Sequence, residues 1–164
     1  MHIRHADAED ADELAGLLNS VIAEGGKTAI DTPLTGSEFR EWFITGPHCI
    51  CCLVALSDNG ILGFQALERF HDDLPQGMAD IATFVTDRAR GSGVGRNLSH
   101  ATSALAEAAG VQHIRAVIQR SNKAAIAYYQ SVGFRADDAS RQTSDSVTLI
   151  RSTAHVGEAK IGMS

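Results

Sequence analysis

The sequence predicts a mixed α/β domain, in which a central mixed sheet of about six to seven strands is flanked by about four helices. Three observations lead to this prediction. Apolar strand-like runs at residues 49–56 and 61–70 flank Asn59-Gly60, a dipeptide that strongly favours an antiparallel hairpin. Residues 78–118 then alternate strand, helix and strand, which is the order of a parallel βαβ unit. Hydrophobic residues make up 44% of the 164 residues, which is sufficient for one buried core.

The first half of the chain is predicted to begin with a short strand at residues 2–5 and a helix at residues 8–23. Asp7 is positioned to cap this helix, whose apolar residues recur at helical spacing until a Gly-Gly pair ends it. A second, short and aromatic helix follows, with Thr35 or Ser37 as its cap. The two strands of the predicted hairpin come next.

The second half of the chain is predicted to add four strands and two helices. The strands lie at residues 78–85, 111–118, 134–139 and 147–152, and the helices lie at residues 94–109 and 123–131. The apolar character of residues 111–118 predicts a strand that is buried on both faces. We therefore expect a single domain over residues 1–152 and a C-terminal tail over residues 153–164.

The charge balance argues against nucleic-acid binding, since the formal net charge is −6 and such binding requires a basic face. Neither the apolar region of a signal peptide nor an apolar run of about 18 residues is present, so we expect a cytoplasmic protein without a membrane partner. Cys49, Cys51 and Cys52 lie in one predicted strand, which suits buried thiols in a reducing compartment. They lack the spacing of metal ligands, and no metal is expected.

A glycine-rich turn, Arg90-Gly91-Ser92-Gly93-Val94-Gly95, joins a predicted strand to a predicted helix and is suited to holding phosphate. Glycines let the backbone approach a ligand, and the helix start offers unpaired N–H groups and a positive dipole. Arg88 and Arg96 add positive charge. No lysine follows the glycines as in a P-loop, and Arg96 replaces the third glycine of a dinucleotide fingerprint. What remains is the pattern Arg-x-x-Gly-x-Gly.

A second motif follows about thirty residues later, on the fourth predicted helix. The pattern N-x-x-A-x-x-x-Y-x-x-x-G-F is matched by Asn122, Ala125, Tyr129, Gly133 and Phe134. In this order, the two motifs resemble those of the GNAT superfamily of N-acetyltransferases. The first half is most similar to the phosphinothricin-acetyltransferase branch, which acetylates small amino-acid-like amines, although the branch's aromatic and glutamate features before the turn are replaced.

The resemblance implies the GNAT fold, with acetyl-CoA as the acetyl donor. In that family two strands, here residues 78–85 and 111–118, splay apart and admit the pantetheine arm. The residues that would hold the diphosphate are Arg90, Gly91, Ser92, Gly93, Val94, Gly95 and Arg96. The backbone of Phe84 and Val85 would bind the donor, with the N–H of Val85 or its neighbour polarising the thioester carbonyl. Asn122 would cap its helix or reach the cofactor.

The resemblance also implies a general acid, Tyr129, because a phenol is protonated at neutral pH and can protonate a departing thiolate. Packing alone is the alternative role for this ring. Tyr128 lies about 100° further around the helix and is expected to face differently. Asp80 is the leading candidate for the general base, because it lies on the strand beside the proposed reaction centre. His71 and a chain of water molecules are the alternatives.

We therefore expect an acetyl-CoA-dependent N-acetyltransferase that transfers acetyl to the primary amine of a small amino-acid-like acceptor, by direct attack in a ternary complex. Loop charges would select the acceptor: the candidates for a cationic amine are Asp31, Glu68, Asp72 and Asp73, and those for a carboxylate are Arg69 and Arg120. Two alternatives stay open, acetylation of a protein N-terminus or lysine and a non-catalytic acyl-CoA-binding regulatory module. The resemblance adds a homodimer as the expected assembly.

Overall fold

The computed structural model describes residues 1–28, 30–137 and 145–153. Its strands are β1 (His2–His5), β2 (Cys49–Ser57), β3 (Gly60–Glu68), β4 (Met78–Val85), β5 (His113–Gln119), β6 (Arg135–Ala136) and β7 (Ser146–Ser152). Its α-helices are α1 (Ala11–Glu24), α2 (Gly36–Phe39), α3 (Val94–Ala108) and α4 (Lys123–Ser131). The strands form one sheet in the order β1-β2-β3-β4-β5-β7-β6. The predicted mixed α/β architecture is thereby confirmed.

Local sequence signals explain how the first half begins. Asp7 accepts a hydrogen bond from the N–H of Glu9 and forms a capping box with Asp10, but it caps a 3-10 turn that precedes α1 rather than α1 itself. Thr35 caps α2, where its hydroxyl accepts the N–H of Glu38 at 3.1 Å. Strands β1 to β4 are antiparallel neighbours, as the hairpin signal predicts.

The two faces of the sheet bury separate cores. On one face, α1 and α2 cover β2 and β3, with Leu14, Leu18 and Phe64 fully buried between them. On the other face, α3 and α4 cover the sheet, and Ile114 and Phe134 lie in that core. None of the helices within the described ranges is long and apolar enough to cross a membrane.

Strands β4 and β5 are parallel, but they pair only at their first residues. The register runs from Met78 opposite His113 to Asp80 opposite Arg115, and no further pairs follow. Residues 81–85 of β4 and residues 116–119 of β5 therefore diverge and leave a gap in the sheet, which we call the fork. The splayed strands that the resemblance implies are present at the expected place.

The prediction that residues 111–118 form a strand buried on both faces is wrong for β5. It is not buried on both faces: Ile114, Ala116 and Ile118 face the α3–α4 core, whereas Val117 is 49% exposed. The reason is the fork, which leaves the α1 side of β5 uncovered beyond its paired start. An apolar run does not by itself distinguish one covered face from two.

The end of the described chain packs back onto the sheet. Arg151 on β7 donates to the main-chain oxygen of Val132 at 2.9 Å and lies over the ring of Phe134. Thr153, the first residue of the predicted tail, is 3% exposed, and its N–H donates to the main-chain oxygen of Gln112 at 3.0 Å. The rest of that tail, and residues 138–139 of the predicted sixth strand, lie outside the described residues.

Candidate active site

The glycine-rich turn presents an open concave backbone at the start of α3. Gly91 and Gly93 have φ of 79° and 89°, a left-handed conformation that favours glycine. A Cβ built on either residue would meet no atom within 4 Å, so the space beside the turn is open. The first N–H groups of α3 have no partner within the helix. The turn can therefore accept an anion against its main-chain amides.

The three arginines near the turn have different surroundings. Arg90 is 46% exposed in its side chain and forms an ion pair with Asp87 at 3.3 Å. Arg96 is exposed on the first turn of α3. Arg88 instead donates to the main-chain oxygens of Asn59 and Ile61, at 3.3 and 3.4 Å. Arg90 and Arg96 thus leave positive charge at the turn, whereas Arg88 anchors the β2–β3 hairpin.

Gly95 is required for a steric reason that does not apply to Gly91 or Gly93. A Cβ at this position would lie 2.7 Å from Cε1 of Tyr128, a distance that side chains do not tolerate. The hydroxyl of Tyr128 donates to the main-chain oxygen of Gly95 at 2.7 Å. The last glycine of the motif therefore makes room for a tyrosine of α4, and the two motifs are in direct contact.

A chain of hydrogen bonds joins the two tyrosines of α4. The hydroxyl of Tyr129 lies 2.8 Å from Oγ1 of Thr83 on β4. Gln65 on β3 donates from Nε2 to both Thr83 Oγ1, at 2.9 Å, and the hydroxyl of Tyr128, at 3.1 Å. The two hydroxyls thus converge on one polar pair, which differs from the expectation that the tyrosines face differently.

Either hydroxyl can be the donor in the bond between Thr83 and Tyr129. Thr83 Oγ1 accepts from Gln65 and keeps a second lone pair, so it can accept the phenolic proton of Tyr129 or donate its own proton to the oxygen of Tyr129. In the second arrangement the phenolic proton of Tyr129 is not engaged in the chain. It is free to point at a group that enters the fork.

Tyr129 is held rigidly and stays protonated. It is 6% exposed, and burial raises its pKa, while the hydrogen bond with Thr83 lowers it less. Its ring packs edge-on against Phe134 at 5.1 Å, and Gly133, with φ of 98°, ends the helix between them. Asn122 caps α4 by accepting the N–H of Ala125 at 3.2 Å. The predicted helix cap at Asn122, the helix stop at Gly133 and the core aromatic Phe134 are confirmed.

The ladder between β3 and β4 determines where the free edge of β4 points. The N–H of Thr86 donates to the main-chain oxygen of Leu62 at 2.8 Å, on the β3 side. Main-chain groups alternate between the two edges of a strand, so those of Thr83 and Val85 point away from β3 and into the fork. They form an unpaired edge beside Tyr129.

Two carboxylates lie on the opposite face of the sheet, at the closed end of the fork. Asp80 forms a bidentate ion pair with Arg115, with distances of 2.6 and 2.9 Å. Glu68 on β3 is the cross-strand partner of Asp80 and is 8% exposed. Burial, and then the negative charge of Asp80, raise the pKa of Glu68 to about 7. Its Oε1 is buried without a hydrogen-bond partner.

Other sequence candidates lie apart from these groups. His71 is exposed in the loop after β3. Arg69 donates to the main-chain oxygens of Leu74 and Pro75, at 3.3 and 3.1 Å, and to that of Met78, so it fastens its own loop. Within the described ranges, no group of three or more His, Cys, Asp and Glu side chains could hold a metal ion.

Gln65 and Thr83 belong to the site but are not among the residues that the sequence predicts for it. A signal for Gln65 was present, because it is a single amide in the apolar run of β3 and is 0% exposed. A polar side chain at a core position requires a partner, which here is the hydroxyl pair on β4 and α4.

Comparison with known proteins identifies the architecture that carries these groups. The model of the Acetyltransferase (GNAT) family matches residues 8–134, which include the fork, the turn and Tyr129. This chain belongs to the GNAT acetyltransferase family. The resemblance carried by the two motifs is confirmed.

Individual relatives agree with this assignment. The Bacillus subtilis protein YwnH, provisionally named as a phosphinothricin acetyltransferase, is 26% identical over 136 residues, which cover 82% of this chain and 83% of YwnH. An N-acetyltransferase from Staphylococcus aureus Mu50 shares the fold with a TM-score of 0.79 and 24% identity, covering 93% of this chain and 98% of that one. A phosphinothricin acetyltransferase from Sinorhizobium meliloti, solved with AcCoA, has a TM-score of 0.78 and 22% identity, covering 92% and 87%.

Proposed function

We propose that this GNAT protein transfers an acetyl group from acetyl-CoA to the primary amine of a small amino-acid-like acceptor, by direct attack in a ternary complex. The observation that carries the proposal is the position of Tyr129, whose hydroxyl is bonded to Thr83 beside the unpaired edge of β4. The names of YwnH and of the Sinorhizobium meliloti enzyme support a small-molecule acceptor.

The donor site in this proposal combines the turn and the fork. The open space beside Gly91 and Gly93 fits a diphosphate, which residues 90–96 would hold through main-chain amides and through Arg90 and Arg96. The main-chain groups of Val85 point into the fork and would hold the arm that leads there from the diphosphate, whereas those of Phe84, which the resemblance also suggests, point toward β3. Asn122, which caps α4 after the diverging end of β5, would reach the cofactor from that position. Acetyl-CoA supplies the activated thioester, and the chain supplies the geometry.

Two groups of the chain act on the thioester in this mechanism. The N–H of Val85, which points into the fork, stabilises the negative charge that develops on the carbonyl oxygen, and such a donor contributes about 3 to 4 kcal/mol. Tyr129 donates its phenolic proton to the departing sulfur, while Thr83 donates to the phenol oxygen and keeps it oriented. The raised pKa of Tyr129 ensures that the proton is present at neutral pH.

The acceptor would approach from the other face of the sheet. Asp80 and Glu68 lie there at the closed end of the fork, and carboxylates of this kind can attract an ammonium group and accept its proton. Val117 leaves the same side of β5 open to solvent. Asp80 is the carboxylate that the sequence favours as the base.

The test combines binding and turnover in one set of variants. Wild-type protein should bind CoA in calorimetry and release free CoA from acetyl-CoA in the presence of phosphinothricin or another small amine. Tyr129→Phe should bind CoA normally but lose at least about 100-fold in kcat. Tyr128→Phe, which loses the bond to Gly95, should weaken CoA binding more than it lowers kcat.

The alternatives predict other outcomes of the same assay. Turnover with peptide N-termini or lysines and not with small amines would indicate a protein acetyltransferase. CoA binding without turnover on any amine or peptide would indicate a regulatory module. No heat on addition of CoA would refute the proposal as a whole.

Localisation and assembly belong to the same proposal. A cytoplasmic location is supported by Cys49, Cys51 and Cys52, which are free thiols with raised pKa values in or beside the core. The family resemblance supports a homodimer as the proposed assembly, and light scattering after size-exclusion chromatography tests it. A mass of 17.4 kDa would mean a monomer.

A further inference from the structure

Two neighbouring carboxylates face the acceptor side of the fork, and their surroundings differ. The side chain of Asp80 is 15% exposed and both of its oxygens accept hydrogen bonds from Arg115, at 2.6 and 2.9 Å. Glu68 lies directly across the β3–β4 ladder, is 8% exposed, and has a buried Oε1 that no donor contacts. Both oxygens of Asp80 are therefore engaged by Arg115, whereas Oε1 of Glu68 has no donor and can accept a proton.

We propose that Glu68 is the group that takes the proton from the acceptor ammonium, and that Asp80 acts through its position beside Glu68 and Arg115. This inference rests on the proposed acetyltransferase function. It assigns a catalytic role to a residue of β3, whereas the sequence directs attention to β4.

The geometry separates the two proton transfers across the sheet. Phe64, Ala66 and Glu68 alternate along β3 with side chains on the α1 side, because Phe64 and Ala66 lie in the core beneath α1. Tyr129 packs in the core on the opposite face. In this proposal the amine reaches the fork from the face on which Glu68 lies, and the sulfur leaves toward Tyr129.

The electrostatic surroundings favour a proton acceptor at neutral pH. Burial and then the charge of Asp80 raise the pKa of Glu68, the backbone N–H of Phe70 and the charge of Arg115 lower it, and the net result is a pKa of about 7. Among the described residues, Cys49 on β2 also faces Glu68 as its cross-strand partner, and burial raises the pKa of this thiol to about 12, so it stays neutral. A base with a pKa close to the working pH is best matched to its task.

The proposed reaction conserves all atoms and protons. The ammonium group loses one proton to Glu68, which passes it to solvent. The neutral amine attacks the carbonyl carbon, the C–N bond forms and the C–S bond breaks. The thiolate takes the phenolic proton of Tyr129, and the surplus proton on nitrogen restores the phenol. The products are the amide and CoA thiol, with one proton released.

The test is the pH dependence of kcat/KM from pH 5 to 9, with phosphinothricin as the acceptor probe, for wild type, Glu68→Gln, Asp80→Asn and Glu107→Gln. Glu107 is an exposed carboxylate on α3 and serves as the matched control. Wild type should show an inflection near pH 7. Glu68→Gln should lose about 100-fold at pH 7 together with the inflection, whereas Glu107→Gln should match wild type.

Asp80→Asn distinguishes the two carboxylates. Without Asp80, Glu68 faces Arg115 alone, so the inflection should remain but move to lower pH. Retention of the inflection in Glu68→Gln and its loss in Asp80→Asn would overturn the inference and make Asp80 the base. Glu68→Asp should recover part of the activity, and unchanged CoA binding in calorimetry shows that each variant is folded.

The same experiment separates the inference from the function on which it rests. If wild type acetylates no amine, the proposed function fails and the inference fails with it. If wild type turns over and Glu68→Gln retains both rate and inflection, only the inference fails.

Discussion

Glu68→Gln should change how the stability of the folded protein depends on pH. Folding raises the pKa of Glu68 from 4.5 to about 7, chiefly because the carboxyl group is buried. Between these two values the folded state binds more protons at this site than the unfolded state does. The free energy of unfolding of the wild type therefore contains a contribution that falls as the pH rises through this window.

The size of this contribution follows from the shift. Each pKa unit corresponds to about 1.4 kcal/mol, so the ionised Glu68 destabilises the native state by about 3 kcal/mol above pH 7 and by almost nothing below pH 4.5. Glutamine has nearly the same shape and does not titrate. Glu68→Gln should therefore gain about 3 kcal/mol relative to wild type between pH 4.5 and pH 8. For a domain of this size that is a large part of the total stability.

Urea unfolding followed by far-UV circular dichroism, at intervals of half a pH unit from pH 4.5 to 8, measures this difference. Using the difference between two proteins removes the slopes of groups that the substitution leaves unchanged. Glu107→Gln, on the exposed face of α3, should track wild type at every pH. A difference between Glu68→Gln and wild type that is constant across the range would refute the reasoning, because it would mean that Glu68 titrates alike in both states.

Three further substitutions test the site geometry. Gly95→Ala should lower the free energy of unfolding by about 1 to 3 kcal/mol, because the new methyl group overlaps the ring of Tyr128. The double variant Gly95→Ala/Tyr128→Leu should recover part of that loss, and an equal cost of Gly95→Ala with and without the tyrosine ring would contradict the contact. Gly93→Ala should cost about 1 kcal/mol and weaken CoA binding in calorimetry, since φ is 89°; unchanged affinity would argue against a ligand at the turn. Thr83→Val should lower kcat with little change in the KM for acetyl-CoA, because Tyr129 loses its partner; the reverse pattern in steady-state kinetics would assign Thr83 to donor binding.

Those parts of the fold that depend on short-range signals are predictable from the sequence. Asn59-Gly60 specifies a hairpin, and Gly93 and Gly133 have the positive φ that a turn into α3 and a stop after α4 require. Tyr129 and the capping Asn122 could be located because a motif fixes their spacing on one helix. In each case, residues close in the chain contain the information.

The rest of the site depends on which strands become neighbours. Glu68 meets Asp80 across the ladder, and Arg115 meets Asp80 only because β5 pairs with the start of β4. The apolar pattern of β5 cannot reveal that the fork exposes Val117. Likewise, Gln65 lies 63 residues before the tyrosine to which it donates. Such contacts follow from sheet order and register, which periodicity within one segment does not encode.

The contact between Gly95 and Tyr128 constrains how such a sequence can diverge. The two positions are 33 residues apart, yet the tyrosine ring fills the volume that any side chain at position 95 would need. A larger residue at 95 is tolerable only after the ring has been lost or turned aside. We therefore expect homologues to change these two positions as a pair, so that the phosphate turn and the helix bearing the proton donor are inherited as one evolutionary unit.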